Sequence, residues 1–137
     1  GVQTCALPIF LDVNTIGVFL CCRAVAPIMR AKKRGRIVNI TSGTAFKGAP
    51  FIMHYVASKG AVMSMTRSLA REEEDAGVRA TAICPAFVDT PMAEWTGLDA
   101  ELMIAPRDCA EVVRALLRLS PAVRIPVVVM ERAGDVI

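Results

Sequence analysis

The sequence is poor in the residue types that build metal sites and disulfide frameworks. It has one histidine, and its five cysteines, at positions 5, 21, 22, 84 and 109, form no C-x-x-C pair. Zinc sites and disulfide-stapled folds depend on such pairs or clusters. We therefore expect no metal site, and we expect the cysteines to be reduced thiols in a cytoplasmic protein.

Long apolar runs and aromatic residues are also scarce. Ile125–Met130 is too short to span a bilayer, and Arg23 interrupts the apolar segment from Val13 to Met29. Aromatic residues make up 5% of the chain, and none is interleaved with its one basic cluster, as a surface for single-stranded nucleic acid requires. These absences predict that the protein binds neither a membrane nor nucleic acid. The basic cluster comprises Arg30, Lys32, Lys33, Arg34 and Arg36.

What the sequence does contain is enough apolar residues for one folded domain. Hydrophobic residues make up 54% and charged residues 21% of the 137 positions. This composition is typical of a globular chain, and the length suits one domain rather than two.

The hydrophobic periodicity predicts helices that alternate with short strands. The first helix is expected to begin with Asp12 as its N-cap, to end near Ala31, and to be buried on more than one side, because Arg23 is the only charge between Val13 and Met29. The order helix, strand, helix, strand, helix, strand predicts an α/β fold built as half of a doubly wound parallel sheet. The other predicted elements are strands Ile37–Ile40, Val78–Cys84 and Pro126–Met130, a helix from Tyr55 to about Asp75, and a helix that starts at Pro106.

Small residues follow one stripe of the Tyr55 helix at helical spacing. Two interpretations are open: the stripe packs closely on the sheet, or it lies at an interface where two such helices approach each other. The stripe comprises Ala57, Gly60, Ala61, Ser64 and Ser68.

Four polar residues form a pattern that favours proton-transfer chemistry. Tyr55 and Lys59 lie one helical turn apart on the same face, and an ammonium beside a phenol stabilises the phenolate. Tyr55 is therefore a candidate acid/base. Ser42 directly follows a predicted strand, at the sheet edge where α/β proteins bind ligands. Asn14 lies in the first helix.

In that order and at those separations, these four residues resemble the catalytic tetrad of the short-chain dehydrogenase/reductase family. The surrounding blocks resemble the family too, from Phe10 to about Val129. These blocks are Asp12-Val13-Asn14, Gly35 to Ser42, Tyr55 to Val62 and Ala82-Ile83-Cys84-Pro85.

The resemblance implies a Rossmann-type fold, NAD or NADP as cofactor and a role for each residue. Tyr55 would be the acid/base, and Ser42 would hydrogen-bond the reacting oxygen. Lys59 would promote ionisation of Tyr55 and hold the nicotinamide ribose. Asn14 would bend its helix and hold a water that links Lys59 to solvent. With Tyr55 and Lys59, the cofactor-binding set would include Pro85, Val88 and Thr90.

Simpler structural interpretations exist for three of these residues taken singly. Asn14 could be an ordinary polar residue early in a helix, Ser42 a turn former and Thr90 a cap before Pro91. His54 is expected to be a neighbour of the site, because the family has no role for a histidine there.

Two features depart from the family pattern. Ala86 follows Pro85 where the family usually has glycine. The Gly-x-x-x-Gly-x-Gly cluster that seats the cofactor pyrophosphate at a helix N-terminus is absent from the sequence. We therefore interpret residues 10–137 as the carboxyl-terminal half of a single Rossmann-type domain. Residues 1–9 resemble a translated sequencing adapter and are interpreted as a non-native leader.

The resemblance thus predicts an NAD(P)-dependent oxidoreductase that acts on a small alcohol or carbonyl compound and assembles as a homodimer or homotetramer. The apolar segment between Thr90 and Pro106 matches the family's substrate lid and suggests a small or apolar substrate. The alternative is a catalytically incompetent fragment that acts at most as an association module through the helices carrying Asn14 and Tyr55.

Overall fold

The computed structural model of the chain describes residues 7–135. Residues 1–6, most of the predicted leader, lie outside the described residues. Leu7–Phe10 form a helix that continues directly into the next helical segment. The predicted boundary between leader and domain after Ile9 stays a prediction.

Five α-helices, a π-helical segment, two 3₁₀ turns and three strands make up the described chain. In order they are α1 (Leu7–Phe10), the π segment (Leu11–Gly17), α2 (Val18–Ala31), β1 (Gly35–Ile40), α3 (Thr44–Lys47), α4 (Met53–Glu72), β2 (Val78–Pro85), the 3₁₀ turns Pro91–Thr96 and Ala100–Leu102, α5 (Pro106–Arg118) and β3 (Val127–Met130).

The three strands form one parallel sheet in the order β1-β2-β3. Gly35 pairs with Val78 at one end of the β1–β2 ladder and Ile40 with Ile83 at the other. Pro85 pairs with Met130 in the β2–β3 ladder. This arrangement confirms the predicted α/β class and the predicted alternation of helices with parallel strands.

The start of the first helix was predicted wrongly. Asp12 does not cap a helix; it lies inside a continuous helical stretch, within the π segment. A cap satisfies N–H groups that have no intrahelical partner. Because residues from Leu7 onward are already helical, that requirement does not arise at Asp12.

Burial of the first helix on more than one side is also wrong. In α2 only Ala26 is buried, while Val13 in the π segment is 66% exposed and Ile28 is 58% exposed. The helix packs against β1, β2 and α4, while other apolar side chains, such as that of Phe19, stay exposed. A lack of charge indicates that a face is apolar, but it does not identify what covers that face.

The same helical stretch bears on the predicted absence of a membrane partner. Pro8–Ala31 has a mean hydropathy of 1.7 over its most apolar stretch, and by length and composition it is sufficient to cross a bilayer. The presence of Arg23 therefore does not exclude a membrane-spanning helix, although the sequence analysis took it to do so. The absence of a membrane partner stays a prediction.

Helix α4 presents a different face to the sheet from the one its small residues suggested. Its buried residues are His54, Ser58, Val62 and Thr66, and the helix packs mainly on β2. In the small-residue stripe, Ala57, Ser64 and Ser68 are exposed and the other two are half-buried. Close packing of the stripe on the sheet is therefore excluded.

An ion pair between the exposed Arg30 and the buried Glu73 joins the carboxyl-terminal ends of α2 and α4. Arg30 Nε donates to Glu73 Oε2 over 2.9 Å, and the Glu73 side chain is only 2% exposed. The hydrogen bond from Arg30 lowers the pKa of Glu73. A buried carboxylate requires such a partner, so this pair constrains how the two helices meet.

The chain between α4 and β2 turns at Gly77, which has φ +72°. A Cβ at this position would lie 2.5 Å from the carbonyl oxygen of Lys33. Only glycine combines this backbone conformation with so close an approach. The turn places β2 beside β1, where Val78, Ala80 and Ile37 form the buried core.

Candidate active site

The candidate site lies where the carboxyl ends of β1 and β2 meet the first turns of α4 and the π segment. Parallel strands end at one edge of a sheet, so the residues that follow β1 and β2 are neighbours there. Helix α4 begins at Met53, which places Tyr55 and Lys59 in its first two turns.

Lys59 connects α4 to the end of β1. Its Nζ donates to the carbonyl oxygen of Ile40, the last residue of that strand, over 3.2 Å. The same Nζ lies 5.9 Å from the centre of the Tyr55 ring. Burial lowers the pKa of Lys59. The ammonium has three N–H donors, and only the bond to Ile40 engages it among the described residues, so it retains donors for a ligand.

Asn14 lies in the π segment, where the helix departs from α geometry. The resemblance implies a bend at this position. Its Nδ2 donates to Ser58 Oγ over 3.2 Å, and the neighbouring Thr15 Oγ1 donates to the Ser58 carbonyl over 3.3 Å. Asn14 is thus held against the residue that precedes Lys59. Its predicted role with a bound water stays a prediction.

Ser42 is buried in the turn after β1. Its Oγ accepts hydrogen bonds from the Thr44 backbone N–H at 3.3 Å and from Thr44 Oγ1 at 3.0 Å, so it does form a turn. Within residues 7–135 no hydrogen bond joins it to Tyr55. Both residues nevertheless border the same edge, because Lys59 reaches the strand end two positions before Ser42.

The Tyr55 ring is half-buried between polar and apolar neighbours. Phe10 packs edge-on against it, with ring centres 6.2 Å apart, and against His54 at 4.6 Å. His54 is buried. It is therefore a packed neighbour of the site, as the sequence predicted.

The predicted cofactor segment follows β2 directly. The Gly43 N–H donates to the carbonyl oxygen of Pro85 over 2.8 Å, which ties this segment to the turn that carries Ser42. Val88 forms an isolated parallel bridge with Ile104. Thr90 precedes the 3₁₀ turn at Pro91 but makes no side-chain cap; its hydroxyl donates to the Val88 carbonyl instead.

Alanine is tolerated at position 86 without backbone strain. Among the described non-glycine residues only Lys33 and Phe51 have positive φ, so Ala86 has an ordinary backbone conformation. Its N–H donates to the Met130 carbonyl over 2.8 Å. The departure from the family's glycine therefore leaves the sheet edge intact.

The segment after Thr90 exposes large apolar side chains beside the site. Met92 is 76% exposed and Trp95 73% exposed, and Trp95 packs edge-on to Phe87 with ring centres 6.0 Å apart. Such exposure is typical of a surface that a ligand or another segment covers. In the described chain no group of three or more His, Cys, Asp or Glu side chains is placed to hold a metal.

Two residues of the site were missed by reasoning from the sequence. Ser58 was treated as part of a motif, although it contacts Asn14 directly. Ile104 was treated as part of the lid, although its backbone bonds to Phe87 and Asp89 hold the cofactor segment. The available signal was the position of Ser58 four residues before Val62 and eight before Thr66, which places all three on one face of the helix.

Comparison with known proteins identifies a family that matches most of the chain. The family described as short chain dehydrogenase matches residues 6–100. A short-chain dehydrogenase of Aspergillus ruber is 39% identical over 69% of this chain and 41% of its own length. A 3-oxoacyl-[acyl-carrier-protein] reductase of Synechocystis is 38% identical over 70% of this chain and 39% of its own.

Solved structures agree on the fold. A 3-oxoacyl-[acyl-carrier protein] reductase from Brucella melitensis, solved with bound NAD, superposes with a TM-score of 0.77 at 31% identity, covering 88% of this chain and 48% of that one. The predicted Rossmann-type architecture is confirmed. The chain spans about two fifths of the length of these curated relatives and about half of the solved chain.

A pH-dependent stability follows from the burial of Lys59. Burial lowers its pKa from the usual 10.5, so below the folded-state pKa the buried ammonium costs stability, and this cost disappears as the pH rises towards 10.5. Relative to Lys59→Met, the wild-type chain is therefore expected to gain free energy of unfolding as the pH rises towards 10.5, because this cost is present only in the chain that carries the ammonium. Urea titrations across this range, with the exposed Lys32→Met as control, measure the difference. A difference between wild type and Lys59→Met that is constant with pH would contradict the assignment.

Proposed function

Because the chain belongs to the short-chain dehydrogenase family, we propose that it supplies the catalytic half of an NAD- or NADP-dependent oxidoreductase. The reaction is hydride transfer between the nicotinamide and a secondary alcohol or ketone. One observation carries the proposal: the Lys59 ammonium donates to the carbonyl oxygen of Ile40, the last residue of β1. Tyr55 lies one helical turn before Lys59, and Ser42 lies two residues after Ile40.

The residues of this chain suit the nicotinamide end of the cofactor. Lys59 retains N–H groups that would donate hydrogen bonds to two ribose hydroxyls. Pro85, Val88 and Thr90 lie in one segment, fixed to the Ser42 turn by the Gly43–Pro85 hydrogen bond and to the lid by Ile104. Relatives in this family have been solved with NAD and NADH. When bound, the nicotinamide supplies or accepts the hydride.

Side chains of this chain transfer the proton. In the reducing direction Tyr55 Oη donates a proton to the carbonyl oxygen of the substrate, and in the oxidising direction it removes one from the alcohol. The nearby Lys59 ammonium stabilises the phenolate that forms on Tyr55. Ser42 holds the reacting oxygen by a hydrogen bond, and Asn14 holds the water that connects Lys59 to solvent.

The substrate we propose is small or apolar. The lid residues Met92 and Trp95 present apolar surface beside the site, and burying such surface against a ligand is favourable. Within the lid, the Thr96 hydroxyl is engaged by the Ala93 carbonyl over 2.7 Å.

Removing the Tyr55 hydroxyl tests the proposed reaction. In the complete protein we expect Tyr55→Phe to lower turnover by about 10²- to 10⁴-fold, the usual contribution of a positioned general acid. Cofactor affinity, measured by fluorescence titration, is expected to stay unchanged. Ser120→Ala, which removes an exposed hydroxyl beyond α5, serves as the control. Wild-type turnover in Tyr55→Phe would rule the assignment out.

A second role, association through helices α2 and α4, is favoured by the apolar surface they expose. A cavity of about 500 Å³ lies between the two helices, lined by Phe19, Ala26, Ser64 and Leu69 among others. We propose that two copies of the chain meet here, in a homodimer or homotetramer. In a chain unable to bind cofactor, association would be the only remaining role.

Sedimentation velocity tests this association. We expect Ser64→Arg, which adds a charge and bulk to an exposed position of α4, to shift the complete protein to a smaller species. Ser120→Arg makes the same change away from the two helices and is expected to leave the assembly intact. A protein that is monomeric before any substitution would contradict the proposal.

A further inference from the structure

Ser58 forms a hydrogen-bonded bridge between the π segment and the turn that carries Tyr55. Its side chain is completely buried. Ser58 Oγ accepts from Asn14 Nδ2 over 3.2 Å and donates to the carbonyl oxygen of Tyr55 over 2.8 Å. Three residues of the site are therefore joined through one hydroxyl.

The direction of both bonds is fixed by chemistry. An amide Nδ2 only donates and a carbonyl oxygen only accepts, while a serine hydroxyl has one donor and can accept as well. The single hydroxyl proton of Ser58 is donated to the backbone carbonyl of Tyr55, so the Oγ lone pairs are left to accept from Asn14. Thr15 Oγ1 adds a third link by donating to the Ser58 carbonyl. The bridge has no spare donor, so it holds Asn14 in one orientation.

A bridge of the same chemistry lies two turns further along α4. Thr66 Oγ1 accepts from Asn39 Nδ2 over 2.9 Å and donates to the Val62 carbonyl over 2.7 Å. Thr66 is as buried as Ser58. It joins α4 to Asn39, the penultimate residue of β1. Among the described residues it makes no hydrogen bond to Asn14, Tyr55 or Lys59, and so it provides a natural comparison for the bridge at the site.

We infer that Ser58 is a positioning residue that couples Asn14 to Tyr55 and Lys59, an inference that rests on the proposed oxidoreductase function. Without its hydroxyl, the Asn14 amide loses its acceptor in a partly buried setting, where an unpaired donor is costly. Asn14 then loses its fixed orientation against the residue that precedes Lys59. The proton path through Tyr55 is impaired, although Tyr55, Lys59 and Ser42 are all still present.

Turnover and its pH dependence in the complete protein test this inference. We expect Ser58→Ala to lower kcat about tenfold, the equivalent of one lost hydrogen bond. The pH profile of kcat is expected to move, while cofactor affinity stays the same. Thr66→Val, the matched control, removes the other bridge; we expect it to lower the free energy of unfolding and to leave the pH profile unmoved.

A double-mutant cycle separates positioning from general destabilisation. If Ser58 acts through Asn14, the double variant Asn14→Ala, Ser58→Ala has the kcat of Asn14→Ala alone. Losses that multiply, or a Ser58→Ala variant with wild-type kcat and pH profile, would overturn the inference. Should Ser58→Ala fail to fold, Ser58→Cys keeps a weak donor and acceptor and is expected to show an intermediate loss; a wild-type kcat there would overturn it equally.

The outcome for Tyr55 keeps this inference distinct from the proposed function. An inactive Tyr55→Phe with an unaffected Ser58→Ala removes only the role of Ser58. A fully active Tyr55→Phe removes the proposed function itself, whatever Ser58→Ala does.

Discussion

The hydrogen bond from Lys59 to the carbonyl of Ile40 is the contact on which the candidate site depends. Among residues 7–135 β1 is an edge strand, whose last carbonyl would otherwise lack a partner there, and a partly buried ammonium also needs an acceptor. By satisfying both groups, the bond fixes the first turns of α4 against the carboxyl end of β1. The bond brings Tyr55, one turn before Lys59, and Ser42, two residues after Ile40, to the same edge of the sheet.

Buried hydroxyl groups extend this attachment along α4. Ser58 and Thr66 are the hydroxyl-bearing residues of its buried face, and each bridges an asparagine to a helix carbonyl. Apolar side chains could fill the same space, but they would not fix the rotation of the helix about its axis as directional hydrogen bonds do. Tyr55 is placed by that rotation. The Arg30–Glu73 pair holds the far end of the helix in the same way.

Much of this architecture could be predicted from the sequence, because the strands carry β-branched runs bounded by turn residues and α4 carries a motif at one-turn spacing. Contacts between separate elements could not. Burial of the first helix was predicted wrongly because charge density does not specify which neighbours are present. The cap at Asp12 was predicted wrongly because helical residues already precede it. The bridge through Ser58 requires two helices at a particular rotation, which no local pattern encodes.

A crystal structure of the complete protein with NAD or NADP and an alcohol substrate analogue would show whether these residues meet at the reacting centre. We expect Lys59 Nζ to lie within hydrogen-bond distance of the nicotinamide ribose hydroxyls while it keeps its bond to the Ile40 carbonyl, and the analogue's oxygen to lie between Tyr55 Oη and Ser42 Oγ. A nicotinamide bound away from Lys59, or an analogue oxygen that contacts neither hydroxyl, would contradict this expectation.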